Sequence, residues 1–128
     1  GGMVINTAGV TLAHGMEHPA SGLKDIVHGQ GLAALTPAVI EASQKGSHFK
    51  FAKIARIFGE ITAEDCAPAI RMLLKDLDLT CTLSDLGLEE KDIPWMAENC
   101  MKVSAAGVAN NPVVVTEEEI AEIYRAAM

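Results

Sequence analysis

Aromatic side chains make up only 4% of the 128 residues, so a core must be assembled from Ala, Leu, Ile, Val and Met within an apolar fraction of 49%. Basic residues are scarce too. Ten Lys and Arg stand against 17 Asp and Glu, leaving a formal charge of −7, and the ten are scattered. Nucleic acid and anionic membranes both select clustered Lys and Arg, so the composition supports neither as a partner. No apolar run in the chain approaches the roughly 18 residues that a membrane span requires. The opening residues lack the charged and apolar regions of a signal peptide, and Gly1-Gly2 ahead of Met3 reads as an addition to a native start. Cysteine is rare and odd in number: Cys66, Cys81 and Cys100 show no CxxC spacing and no recognisable pattern with His or Lys. That excludes a disulfide framework and a zinc ribbon, and predicts reduced, buried thiols in a cytoplasmic protein.

Also missing are an alternating β/α rhythm, internal repeats, linkers and low-complexity tracts. What is present is helical periodicity in a length that suits one domain with one core. Residues 3–14 have apolar or small side chains at helical spacing, weakened by Gly9. Residues 28–43 are apolar on nearly every face, which predicts a central buried helix, kinked or restarted at Pro37. In HFKFAKIARIFG (48–59), Phe51, Ile54, Ala55 and Phe58 form one stripe, and Gly59 is a natural stop. Thr62, with Asp65 three positions on, is the expected cap of the next helix. Ile70, Leu73, Leu74 and Leu77 line one side of that helix, and Pro68 divides its first turn from the body. Asp92 is expected to cap a further helix that tolerates Pro94 in its first turn. Val113–Val115 is the only strand-like run, extended because the residue before Pro112 avoids the helical region. Thr116 and Glu119 form a capping box for a last helix facing inward through Ile120, Ile123 and Tyr124. The expected fold is all-α.

Three of the four histidines fall within fifteen positions: His14, His18 and His28. Positions four apart share one helix face, so His14 and His18 can address one site. Neutral imidazole suits Fe, Zn, Co and Ni. Pro19 and Gly22 allow the chain to turn and bring His28 back. Three histidines suffice for an open metal site, whereas a closed one needs a further ligand. The structural alternative stays open, with the histidines merely hydrogen-bonded on a helix. Glu17 and Asp25 lie near enough to support the imidazoles, or to be simply solvated, and His48 in GSHF reads as surface.

The run HGMEHPASGLKDIVHGQGLAALTP resembles the signature of the iron-containing (group III) alcohol dehydrogenases, through His14, His18, Pro19, Asp25, His28, Gly29 and Pro37. FAKIARIFG is similar to an internal helix of that family, and NNPVVVTEEEIAEIYRAA to its closing helix. The resemblance covers nearly the whole chain. It implies a helical bundle like the family's C-terminal domain, which in complete members works with an N-terminal dinucleotide-binding α/β domain, NAD(P) and Fe²⁺ or Zn²⁺. Carried over residue by residue, His14 and His28 match metal ligands, and His18 matches a catalytic histidine lining the substrate and nicotinamide side of the cleft. The family's other two ligands, an Asp and a His four apart on an earlier helix, have no counterpart in these 128 residues, nor has the glycine-rich phosphate-binding segment. Glu17 stands where many relatives carry Ala. The function implied is that of the C-terminal part of a dehydrogenase acting on small alcohols or aldehydes, with little metal affinity and no NAD(P) binding by this chain alone. Apolar surface that packs against the missing half would then drive homo-oligomers. Two other readings compete with it: a stand-alone helical metal-binding or interaction module without catalysis, and a bundle whose histidines are structural.

Overall fold

Gly9 adopts φ 72°, a conformation that side chains with a Cβ rarely reach, and it divides the first expected helix in two. In the computed structural model, which describes residues 1–128, α1 spans Gly2–Ala8 and α2 spans Leu12–Lys24. No residue of α1 is buried. The Asn110 amide tethers the segment after it, donating to the Ala8 carbonyl at 2.8 Å and to the Val10 carbonyl at 3.2 Å.

The turn expected at Pro19 and Gly22 is not there. Helix α2 runs through both, with Pro19 and Ala20 buried, because packing outweighs the cost of a proline inside a helix. The chain turns instead at Asp25, which takes the left-handed conformation at φ 52° and donates its N–H to the Ser21 carbonyl at 2.8 Å. Asp tolerates that conformation better than most residues. Helix α3, His28–Ser43, likewise continues through Pro37 without restarting, and buries Ala34, Leu35, Pro37, Ala38, Val39 and Ile40.

A single 3₁₀ turn, Gln44–Gly46, follows α3. A Cβ on Gly46 would collide with the Pro112 carbonyl, so the glycine lets the Asn-Pro segment press against this turn. The buried Asn111 amide seals the junction, donating to Ser43 Oγ at 2.9 Å and to the Val113 carbonyl at 2.8 Å. Residues 113–115 run on without pairing, so the fold contains no strand.

Helix α4 spans His48–Ile57 and stops at Gly59, φ 87°. Helix α5, Cys66–Asp76, begins later than the Thr62 cap predicts. Rather than Thr62 capping the helix, Asp65 Oδ2 accepts from the Thr62 N–H and hydroxyl at 2.8 and 2.7 Å, closing a separate turn. Pro68 therefore sits within the first helical turn, where its missing N–H has no partner to lose. The expected apolar stripe is only partly covered: Ile70 and Leu74 are half-buried while Leu73 and Leu77 are exposed, as are Ile54 and Phe58 of the preceding stripe. Asp92 behaves like Asp65, accepting from the Glu89 N–H at 2.9 Å rather than capping α6 (Ile93–Val103). After the short α7 (Ala105–Ala109), α8 (Glu117–Ala126) carries its capping box as expected and buries Ile120, Ile123 and Tyr124.

Helices α2, α3, α6 and α8 enclose the main core, to which α7 adds Val108, while α5 packs on the outside of α3 and α4 packs against α5 and the 3₁₀ turn. Cys66 and Cys100 are buried, Cys81 is partly so, and all three thiols are free. Burial pushes the Cys100 thiol up to about 11, so it stays protonated and unreactive. No helix is long and apolar enough to cross a membrane.

Candidate metal centre

Helix α2 is fixed between His14 and His18, at Met16 and Gly15. The Tyr124 hydroxyl, buried in α8, donates to the Met16 carbonyl at 2.5 Å. Opposite, Gly15 lets α2 approach α6 and α7, since a Cβ there would already lie 3.0 Å from Ser104 Cβ. The left-handed turn at Asp25 then returns the chain, and His28 opens α3 beside the two earlier histidines.

The three imidazoles form a triangle. Ring centroids are 5.3 Å apart for His14 and His28, 6.0 Å for His18 and His28, and 6.3 Å for His14 and His18. His18 and His28 are exposed and His14 is half-buried, so the cluster forms an open rim. Partial burial, reinforced by the neighbouring His28 and His18, holds the His14 imidazole below its ordinary 6.5, against an opposing pull from Glu17. It is therefore neutral, the form that offers a lone pair, over more of the pH range.

Glu17 is not a solvated charge. It is fully buried, and its Oε2 lies 2.5 Å from His28 Nδ1. A carboxylate only accepts, so the His28 Nδ1–H donates, and in the neutral imidazole the lone pair is then on Nε2. The Ser21 hydroxyl donates to Oε1 and also lies 3.1 Å from the Ile26 carbonyl. One donor atom each from Glu17, His18 and His28 lies within 4.8 Å of the others, a set that leaves out His14. Glu17, however, is engaged with the other nitrogen of His28, so the donors left free are the imidazoles.

His48 lies elsewhere, exposed and 3.5 Å from Glu64. Asp25 acts through its backbone at the end of α2 and supports no imidazole. Ser21 escaped the sequence reading as a site residue, and Gly31, one of several glycines there that allow close approach, was not linked to Glu17. The pattern that marks them is a Glu beside the histidine pair, a Ser four positions after it and a Gly three after His28.

The family model for the C-terminal part of Fe-containing alcohol dehydrogenases matches residues 1–128. The chain belongs to the Fe-containing alcohol dehydrogenase family. It is 39% identical to a 1,3-propanediol dehydrogenase of Citrobacter freundii over 134 residues, covering 98% of this chain and 34% of that protein. With a lactaldehyde reductase of Escherichia coli K12 the identity is 30%, covering 98% of this chain and 35% of that protein. A crystal structure of a 1,3-propanediol oxidoreductase superposes with a TM-score of 0.91 at 37% identity, over 99% of this chain and 35% of that one. The chain thus spans about a third of the length of the curated relatives it matches. As a C-terminal domain of an iron-type alcohol dehydrogenase, it is all-helical, as the resemblance implied.

The residues present fit a divalent cation. Imidazole nitrogens are intermediate donors suited to Fe²⁺ and Zn²⁺, and a ligand histidine characteristically donates its other N–H to a carboxylate, as His28 does to Glu17.

Proposed function

We propose that this chain is the metal- and substrate-side part of an NAD(P)-dependent alcohol dehydrogenase that interconverts small alcohols and their aldehydes or ketones. The dinucleotide-binding domain and a second pair of ligands come from polypeptide outside these 128 residues. His14 and His28 are the ligands this chain contributes. One observation carries the assignment. The His14 and His28 rings are the nearest pair in the cluster, with centroids 5.3 Å apart, and two neighbouring imidazoles would suit a shared divalent cation. His18 stands farther from both rings, at 6.0 and 6.3 Å.

Fe²⁺ or Zn²⁺ held by His14 and His28 would supply Lewis acidity toward an alcohol oxygen. His14 and His28 orient the alcohol by fixing where that acidity is felt. His18 takes up the released proton on an imidazole nitrogen and passes it to solvent from the open rim.

Two imidazoles are half of a four-ligand sphere, and each missing ligand removes several kcal/mol of metal binding, so this chain alone should hold metal weakly. Metal titration of the purified chain, and NAD⁺ or NADP⁺ reduction with simple primary alcohols, test the reading. Weak binding lost in His14→Ala and His28→Ala, with turnover at the blank rate, is the expected result. Metal-dependent turnover well above blank would show the chain to be catalytically self-sufficient. Tight binding without turnover would favour a stand-alone metal-binding module.

A further inference from the structure

Glu17 is the only charged side chain drawn fully into the protein, at 0% exposure, yet it belongs to the rim of the histidine cluster rather than to the apolar core. A carboxylate removed from water is tolerated only where its oxygens find donors. Both do, Oε2 from His28 Nδ1–H at 2.5 Å and Oε1 from the Ser21 hydroxyl. The space it fills has a visible origin. A Cβ built on Gly31 would lie 2.9 Å from Glu17 Cγ and 3.0 Å from Oε1, closer than a Cβ ordinarily approaches its neighbours. Gly31 lies three positions after His28, on the same face of α3. The glycine, the carboxylate and the imidazole therefore form one device across two helices.

Which ring nitrogen of a histidine carries the proton is set by the hydrogen bond the other makes. A proton on Nε2 would leave no lone pair there to donate. We infer that Glu17 is a positioning residue that holds His28 as the Nδ1–H tautomer, and that Gly31 is the space Glu17 needs to do so. The use of that tautomer rests on the proposal that His28 is a metal ligand. The tautomer itself does not, because it is a property of the metal-free chain.

Long-range ¹H–¹⁵N NMR of the metal-free chain at pH about 8, above the ordinary imidazole pKa of about 6.5, reads the tautomer of each histidine. His28 should be held as Nδ1–H. Glu17→Met keeps the length of the side chain and removes the acceptor, so His28 should relax to a mixture dominated by Nε2–H. Glu17→Gln offers an amide oxygen to the same N–H and should keep the native tautomer. Gly31→Ala should displace Glu17 and match the Met variant, which makes it the deciding variant should Glu17→Met fail to fold. The exposed His48 serves as an unchanged reference. A native-like His28 tautomer in folded Glu17→Met or Gly31→Ala protein overturns the inference.

Zn²⁺ affinity, measured by competition with a chromophoric chelator, supplies the second readout. It should fall 10- to 100-fold in Glu17→Met and Gly31→Ala and be spared in Glu17→Gln, the range found when a carboxylate behind a ligand histidine is lost. If Glu17→Gln weakens Zn²⁺ as much as Glu17→Met does while the tautomer is kept, Glu17 is itself a ligand and the positioning role is wrong. If His14→Ala and His28→Ala leave Zn²⁺ affinity untouched, the ligand assignment fails, while a tautomer that follows residues 17 and 31 still upholds the hydrogen-bond device.

Discussion

The bundle of α2, α3, α6 and α8 and the arm of α4 and α5 carry the same kind of sequence signal and meet different fates. Each has apolar residues at helical spacing. In the bundle that spacing closes a core cluster of 19 buried residues, whereas the arm supplies three, Ala55, Cys66 and Ala67, to a cluster of four completed by Ile40 of α3. Leu35 and Ile120 are 0% exposed, but Leu73 is 37%, Leu77 56% and Ile57 79% exposed. Periodicity reveals which face of a helix is apolar. It does not reveal whether the chain supplies anything to cover that face.

Truncating the two regions alike should separate them most sharply. Leu35→Ala leaves a cavity between α3 and its neighbours and should cost about 2–5 kcal/mol, whereas Ile57→Ala, at a side chain 79% exposed, removes surface mostly in contact with water already and should cost less than about 1 kcal/mol. Urea unfolding measures both. Comparable losses would mean that the arm packs as tightly as the bundle. A smaller effect inside the bundle is expected for Tyr124→Phe, which deletes the hydroxyl on the Met16 carbonyl and should cost about 1 kcal/mol. Burial holds that phenol protonated far past its ordinary range, with nearby Cys100 and Glu17 contributing. The stability difference between the unmodified chain and the Tyr124→Phe variant should therefore hold up to about pH 10 and shrink above it, where the phenol ionises in the unfolded chain but not in the folded one.

The same contrast explains what could be read in the residues. Helix α8 was legible down to its cap, because Thr116 and Glu119 satisfy each other locally and Ile120, Ile123 and Tyr124 have a partner within the chain. The prolines misled, since Pro19 and Pro37 carry a local penalty that neighbouring helices outweigh. The expected caps at Thr62 and Asp92 misled in another way. Both Asp65 and Asp92 reach back to an earlier backbone N–H instead of forward into a helix. At the rim, the nearness of His14, His18 and His28 was legible from spacing and family resemblance. The burial of Glu17 was not, because it depends on Gly31, fourteen residues away and on another helix.

The exposed face offers the next test. Phe58, Met72 and Leu73 line one shallow depression at the junction of α4 and α5. Apolar surface of this kind promotes association, so the chain should form dimers or larger species at high concentration. Met72→Gln combined with Leu73→Gln should move sedimentation toward monomer and change stability by no more than about 0.5 kcal/mol, as for exposed sites generally. A clean monomer in the unmodified chain, or a large stability loss in the double variant, would break the distinction drawn between arm and bundle.

The smallest expected effect comes from two matched turns. Asp65 Oδ2 accepts from the Thr62 N–H and hydroxyl in the arm, and Asp85 Oδ2 accepts from the same groups of Thr82 beside the bundle. The backbone N–H first, and the hydroxyl second, hold each carboxyl below its usual 3.8. A carboxyl depressed on folding binds fewer protons in the folded than in the unfolded state, so its contribution to stability is complete above the unfolded value and fades as pH falls through the folded one. Both turns should therefore loosen below about pH 4, with different reach. The Leu83 N–H, next to Thr82, donates to the Ala127 carbonyl at 2.8 Å and joins that turn to the end of α8. Asp85→Asn should shift the acid midpoint of global unfolding to slightly higher pH. Asp65→Asn should leave that midpoint in place and lower hydrogen-exchange protection only around the first turn of α5, at the N–H groups of Cys66 and Ala69. Equal shifts in the global midpoint would show that the arm unfolds together with the bundle despite its sparse core.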